Sequence, residues 1–457
     1  MEGLEISVVK LSEVKGEFRI EAEHYQHKYQ KLLERLNKDF SYLKDLVSKP
    51  IQTGHTPSMK DSRFYGGNIK FVKTDNLREN EIKEPFSNYL SNLGNSEIKR
   101  TELQEGDIIT TIIGATYDVI ARSCIVQKSL LPANINQNIA HIRPDKKKIN
   151  PEYLNVYLNS KYGKMYLEYL SRQMEQVNLN CEEVGMVKVP IFSDTFQSKI
   201  ESIVKSAHAK LEESKSLYSQ AEDLLLGELG LKDWQPKNTL HTTKKFSDFA
   251  QSGRLDAEYY QPKYDEIEKA IKSYKGGYDI VSNLFNQNLD VCDYKKTEYN
   301  YVEIGDVNVG DGSVSFNKVE TSELPGNAKR VLHKNDILIS KVRPYRGAVA
   351  IIDFEQEDLI GSGAFTVLQE KSSYKKETLQ ILFRTSVYKD WLLKWNVGSS
   401  YPVIKDEDIL NLPIPILPEQ IQKKIASLIQ QSFECKAQSK QLLEDAKRMV
   451  ETEIEKN

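Results

Sequence analysis

Ser340–Gly347 reads SKVRPYRG and sets Lys341, Arg343, Tyr345 and Arg346 within six residues, with Pro344 stiffening the turn between them. Guanidinium groups bond guanine edges in bidentate fashion, ammonium groups meet phosphate oxygens and aromatic rings stack, so this composition suits the reading of base edges and phosphates. A second stretch, HTPSMKDSRFYGGNIKFVKTDN (55–76), holds Lys60, Arg63, Lys73, Thr74 and Asn76 around a Gly-Gly turn. An Asn carboxamide can bond adenine as Arg bonds guanine, each good pair being worth roughly 1 to 3 kcal/mol of discrimination. Basic loops are commonly solvated and nothing more. The rest of the chain must decide whether these two are used.

Other chemistries lack their residues. No G-x-x-x-x-G-K-[ST] occurs, and Gly361-Ser-Gly363 reads as a turn. A base-flipping amino-methyltransferase needs an Asn/Asp-Pro-Pro-aromatic tetrad, whereas the nearest string, Asn411-Leu-Pro-Ile, lacks the second Pro and the ring. Asp336 and Lys341 share a predicted strand without the Glu-x-Lys that a metal-dependent nuclease would add. His24-x-x-His27 has metal-pair spacing, but a later copy of the segment puts Tyr259 and Pro262 there, so both read as surface or interface histidines. Cys124, Cys181, Cys292 and Cys435 are far apart, which supports neither a zinc knuckle nor a disulfide framework. We therefore expect no catalytic centre, metal or cofactor.

Composition frames these residues. With 39% hydrophobic and 28% charged residues the chain is that of an ordered protein, and its net charge of −3 confines phosphate contacts to local patches. The start, MEGLEISVVKLSEV, lacks a basic then apolar leader, and no run of about 18 apolar residues occurs. We expect a cytoplasmic protein without a membrane span.

The chain repeats itself. RIEAEHYQHKY (Arg19 to Tyr29) returns as RLDAEYYQPKY (Arg254 to Tyr264), and EGDIITTI (Glu105 to Ile112) as KNDILISKV (Lys334 to Val342). VKVPIFSDTFQSKIESIV (Val187 to Val204) is answered by LPIPILPEQIQKKIASLI (Leu412 to Ile429). Three matches in one order indicate a tandem duplication.

Long helices must hold the two copies. Ile421, Ile425, Leu428, Ser432, Cys435, Ser439, Leu442, Ala446 and Met449 fall at heptad spacing. So do Phe196, Ile200, Ile203, Ala207, Lys210, Ser214, Leu217, Ala221 and Leu224. Both stripes are small or polar in the middle. Helices of about 45 to 55 Å are expected to pack on each other. Asp194 can cap the first, and Gly227, Gly230 and Pro236 break its periodicity. Within each copy the pattern predicts a short amphipathic helix (about 22–36 and 257–272), several strands, and one helix before the exit (about 151–172 and 376–395). The fold class is thus α+β: two tandem α+β domains separated by two long antiparallel coiled-coil helices, as a pseudo-twofold internal repeat. The expected boundaries are 1–194 and 237–417 for the domains, 195–236 for the central helix and linker, and 418–457 for the distal helix.

On these residues the chain resembles the specificity subunits of type I restriction-modification systems. The marks are Leu412-Pro-Ile-Pro-Ile-Leu-Pro-Glu-Gln420, the weaker Val189-Pro190 copy and the G-x-T-P loop Gly54-His-Thr-Pro57. The resemblance implies two target-recognition domains that each read half of a split double-stranded DNA target. It implies helices that fix the spacing and dock modification subunits, which carry S-adenosylmethionine and the methylase chemistry, with restriction subunits supplying motor and nuclease. Lys60, Arg63, Lys73, Thr74, Asn76, Lys341, Arg343, Tyr345 and Arg346 are then the expected DNA contacts. Tyr25, Tyr29, Tyr260 and Tyr264, in the repeated segment, are the expected contacts to two modification subunits. The competing reading is a coiled-coil adaptor that joins two protein partners.

Overall fold

The computed structural model describes residues 7–8, 21–114, 119–173, 177–237, 239, 241–398 and 401–456. Arg19, which opens the first repeated segment, lies outside them. The protein is α+β, with two long helices, α1 (Asp194–Leu229) and α2 (Glu419–Lys456), of 36 and 38 residues. It divides into two compact units, Met1–Lys210 with Ala437–Asn457, and Leu211–Lys436.

Each unit is built on a four-stranded antiparallel sheet. In the first the order is Gln52–Thr53, β2 (Ile139–Ile142), β1 (Ile108–Thr111), Ser123–Ile125. In the second it is Phe285–Gln287, β4 (Phe365–Glu370), β3 (Ile337–Ser340), Val349–Ile351. β1 and β3 are the repeated β-branched runs. All four residues of each are buried, because both faces of the sheet are covered. Ile337 and Ile339 enter a core shared with the helices, whereas Leu338, pointing the other way, enters a second core. Ile108 and Ile109 divide in the same manner. A second sheet in each unit contains one parallel pair, Tyr65–Val72 with Ala133–Ile135 and Glu298–Val302 with Leu359–Ser362. Gly361 and Ser362 therefore belong to a strand, not to the turn expected of them.

The single helices expected before each exit are broken. Pro151–Asn159 is followed by Lys161–Leu170, and Lys376–Arg384 by Ser386–Leu392. A hydroxyl residue stands at each break and caps the second segment: Ser160 Oγ accepts from Gly163 N at 3.2 Å, and Thr385 Oγ1 from Tyr388 N at 3.4 Å. Ser193, not Asp194, caps α1, since its Oγ accepts from Phe196 N at 3.3 Å while Asp194 is already helical. Gly227 lies inside α1. Gly230 ends it at φ +67°, with Leu231 N bonded to Leu226 O (2.8 Å) and Gly230 N to Gly227 O (3.2 Å), the paired pattern of a left-handed helix terminus.

The long helices feed the cores. In the first unit Ile200 and Val204 of α1 and Ala446, Val450 and Ile454 of α2 are buried in the helix-side core. In the second Ala221 and Leu225 lie with Ile425 and Ile429. Each buried Ile, Val or Leu among them contributes about 1.5 to 3 kcal/mol of burial. The buried stripe drifts from the strict heptad: Val204, Leu225, Ile429 and Val450 are fully buried, while Ile203, Leu224, Leu428 and Met449 are half-buried. Ser214 and Ser432 hydroxyls stand 3.0 Å apart, and Ser432 Oγ donates to Ser214 O at 2.8 Å.

A buried glutamine ties each helix start to its own unit. Gln197 Oε1 accepts from Asn150 N at 3.0 Å and its Nε2 donates to Phe192 O at 2.8 Å. Gln422 repeats this with Lys375 N at 2.9 Å and Leu417 O at 2.8 Å.

Candidate nucleic-acid interface

The SKVRPYRG loop leaves the end of β3 under tight backbone control. Ser340 Oγ donates to Val342 O (2.9 Å), Lys341 N donates to Ala364 O (2.8 Å), and Val342 bridges to Val403. Arg343 then takes φ +49°, ψ +53°, although it precedes a proline. Left-handed backbone at a non-Gly residue costs on the order of 1 to 3 kcal/mol and persists only where its surroundings impose it. Here Arg343 N donates to Pro402 O at 2.8 Å, and Arg346 N closes the turn on Arg343 O at 2.9 Å. The neighbouring segment is itself closed by Val397 and Val403, bonded N to O in both directions at 2.9 and 3.1 Å.

This control sorts the expected contacts. Lys341 is not presented: its Nζ lies 3.0 Å from Asp406 Oδ2, with the side chain 16% exposed, and Thr366 Oγ1 bonds the other Asp406 oxygen at 2.6 Å. Arg343 lays its guanidinium 4.7 Å from the centroid of the Tyr401 ring, a cation–π distance. Tyr345 and Arg346 are exposed. Around them Val397, Tyr401 and Val403 are exposed as well. Among the described residues no carboxylate pairs with Arg343 or Arg346.

The first-unit loop is more heavily committed to itself. Lys60 is exposed in a turn. Arg63 forks onto Asp61, Nε to Oδ1 at 3.0 Å and Nη2 to Oδ2 at 2.7 Å, and these bonds hold the Asp61 carboxyl below its ordinary value. Lys73 Nζ donates to Asn88 Oδ1, and the Thr74 hydroxyl is buried without a partner among the described residues. Asn76 is buried, with Nδ2 donating to Lys83 O (2.9 Å) and Pro85 O (3.3 Å) and Oδ1 accepting from Lys73 N (3.1 Å). Its carboxamide is spent on the turn, which corrects the expectation that it faces adenine. The second unit makes the same turn at Ile304–Asp306, where Asp306 Oδ2 accepts from Glu303 N at 2.8 Å. Aligning FVKTDN with YVEIGD in the repeat is the signal that marks Asn76 as a turn former. By position after the central strand, the counterpart of Arg343 is Gly114, and residues 115–118 lie outside the described residues.

At the root of the central strands sit two buried carboxylates. Asp107 accepts from Gln104 N (2.8 Å), His141 Nε2 (2.7 Å) and Arg143 Nε and Nη2 (both 2.7 Å). Burial would raise its carboxyl, but Arg143 and His141 outweigh this and hold it down at about 2. Burial, assisted by Lys49 and Arg143, pushes the His141 imidazole down despite Asp107, and its Nδ1 is buried without a partner among the described residues. Asp336 accepts from His333 N (2.9 Å), Asn288 Nδ2 (3.0 Å) and Gln369 Nε2 (2.9 Å). It is a structural acid, remote from any nuclease arrangement with Lys341. Among the described residues no three His, Cys, Asp or Glu side chains are placed to hold a metal, and no helix is long and apolar enough to cross a membrane. His24 is buried, stacked on Tyr169 at 4.2 Å with Nδ1 3.2 Å from Tyr169 O, which corrects its reading as a surface residue.

The repeated tyrosines are chiefly internal. Tyr29 and Tyr264 fill the helix-side cores, and Tyr260 is buried with its hydroxyl bonded to Arg254 O at 2.9 Å. Amphipathic spacing directs them inward, which takes all three away from a partner surface. Tyr25 is half-buried. The residue that sequence reasoning missed is Tyr401, in the Gly-Ser stretch VGSSYPV. Only an exposed ring flanked by valines hinted at it.

Comparison with known proteins adds the following. Residues 279–448 match the family of the type I restriction modification DNA specificity domain. The chain is 26% identical over 132 residues to the type I restriction enzyme EcoBI specificity subunit of Escherichia coli, covering 29% of this chain and 27% of that one. Against the HindI specificity subunit of Haemophilus influenzae it is 28% identical over 111 residues, 23% of this chain and 24% of that one. The chain thus matches about a quarter of the length of these two relatives. Against the MjaIX specificity subunit of Methanocaldococcus jannaschii it is 24% identical over 413 residues, 87% of both chains. Among solved structures, the type I restriction-modification S subunit from M. genitalium superposes with a TM-score of 0.41 at 11% identity, over 91% of this chain and 94% of that one.

Proposed function

We propose, since this chain belongs to the family of type I restriction-modification specificity subunits, that it is the DNA-reading, non-catalytic subunit of such a complex. The observation that carries this is the half-buried Arg343 and the exposed Arg346, which pair with no carboxylate among the described residues, beside Tyr345 and Tyr401 at the end of a strand that the chain builds twice. Cations left without carboxylates and set among exposed rings are suited to phosphates and base edges. On this reading residues 1–194 and 237–417 are two target-recognition domains, 195–236 and 418–457 are antiparallel coiled-coil spacers about a pseudo-twofold axis, and the protein works in the cytoplasm. The target is two short blocks separated by unread base pairs, with the helices as ruler. Two modification subunits dock on the duplicated surfaces, and restriction subunits join them.

A competition assay at fixed salt tests the reading. Sequence-matched duplex should displace labelled DNA far better than random duplex, and equal competition removes the recognition claim in favour of the adaptor. Inserting one heptad in each long helix adds about 10.5 Å and should lengthen the unread spacer by about three base pairs. An unchanged spacer in methylation maps would remove the helices as ruler.

A further inference from the structure

We infer that Arg343, stacked on Tyr401, is a guanine-selecting residue of the second unit, and that Arg346 beside it contacts phosphate; this rests on the DNA-reading function proposed above. Pairing separates these two arginines from Arg63, Lys73 and Lys341, whereas Lys60 of the first loop is exposed in a turn. Arg63 is forked onto Asp61, Lys73 is bound to Asn88 and Lys341 to Asp406, each held by a partner within the protein. Arg343 has an aromatic face as its neighbour and no carboxylate among the described residues.

Contact with a ring face offers the guanidinium no hydrogen-bond acceptor and so leaves its N–H donors unspent there. Those donors form the fork that matches O6 and N7 of guanine in the major groove. Its direction is set before DNA arrives, because Arg343 is held in the left-handed region by Pro402 O and the turn to Arg346, while Val403, two residues after Tyr401, is paired with Val397. A side chain so restrained loses less freedom on binding than a solvated arginine. Arg346, one turn further on and exposed, lacks such a rest and suits a phosphate, where charge counts more than direction.

Gly114 stands three positions past the end of β1 as Arg343 stands three past β3, and it offers no side chain. On this assignment Arg343 has no side-chain counterpart at the matching position of the first unit.

The test is selection from randomised duplex DNA by the purified full chain and its variants. The wild type should return a guanine at one fixed position of one block. Arg343→Lys, which keeps the charge and loses the fork, should lower discrimination at that position on the order of tenfold to a hundredfold, leaving the others unchanged. Arg343→Gly relieves the left-handed backbone while removing the guanidinium, so it should lose the same preference without losing thermal stability. Tyr401→Ala should weaken the preference at the same position, whereas Tyr401→Phe keeps the ring and the preference. Arg346→Ala should weaken binding to all sequences alike and reduce the salt slope by about 1. Retention of the guanine by Arg343→Lys and Arg343→Gly overturns the assignment of Arg343, and full discrimination in Tyr401→Ala overturns the stack. A wild type that selects no sequence at all refutes the DNA-reading function instead, which separates the two failures.

Discussion

The buried carboxylate at the root of the central strand is satisfied by a histidine and an arginine in the first unit and by two carboxamides in the second. Asp107 and Asp336 occupy the same place in EGDIITT and KNDILIS, and both cap a backbone N–H three residues back. Arg143 and Gln369 also stand in matching register, one residue beyond the partners of Ile108 and Ile337 on β2 and β4. What differs is charge. An ion pair with poor access to water is costly to break, because removal of one partner strands the other, whereas a carboxamide contributes one ordinary hydrogen bond. A conserved geometric need was thus met by two chemistries with different sensitivities. The tyrosines teach the converse. Carbonyls at Pro190 and Lys188 accept the hydroxyls of Tyr153 and Tyr157, and those at Pro415 and Pro413 accept Tyr374, which precedes its helix, and Tyr388, which lies in the following one, so the donors stand at unmatched positions. Burial pushes all four phenols up, so each remains a protonated donor.

The largest expected effect breaks the charged site. Arg143→Met should destabilise the first unit by about 3 to 5 kcal/mol, while Gln369→Leu should cost the second about 1 to 3 kcal/mol. Hydrogen exchange resolved by unit, read along a urea series, compares them. Equal losses would erase the distinction between the two sites.

Acid should then separate the units. The Asp107 carboxyl, held at about 2 against an ordinary 3.8, contributes stability that is complete above the ordinary value and is lost as pH falls from about 4 toward 2. That contribution is about 2 kcal/mol. His141, pushed down by burial, adds to the trend, because the unfolded chain takes up this proton first as pH falls below about 6.5. Asn288 and Gln369 have no proton to gain there. Amide protection in β1 should therefore fall at higher pH than protection in β3. Simultaneous loss would show that Asp107 and His141 do not govern acid stability.

A smaller effect should be shared. Tyr153→Phe and Tyr374→Phe each leave a buried proline carbonyl without its donor, at about 1 to 2 kcal/mol. Thermal unfolding of the two variants should shift by similar amounts. A clear difference would mean that the two tyrosines are equivalent in geometry and not in energy.

The repeat, the α+β class and the existence of long helices were legible because each rests on local pattern: matched strings, β-branched runs and heptad spacing. Helix breaks at Ser160 and Thr385 were less so, since a hydroxyl inside an apolar run is a cap only if the backbone turns there. The candidate site was legible as a composition and not as a geometry. SKVRPYRG singled out a basic, aromatic loop in the second unit, yet it could not separate Lys341, which is taken by an aspartate 65 residues away, from Arg343. HTPSMKDSRFYGGNIKFVKTDN offered an amide that the fold had already used.

The sequence by itself determined that the unit occurs twice, where its strands and long helices lie, and that familiar catalytic strings are missing. Such features follow from neighbours along the chain. Only the tertiary structure decided which cations stay unpaired, that Tyr29 and Tyr264 are core rather than surface, and that Tyr401 comes to rest beneath Arg343. Exposure and pairing depend on which distant segment arrives at a given side chain, and that is set by sheet register and helix packing together, not by any string of residues.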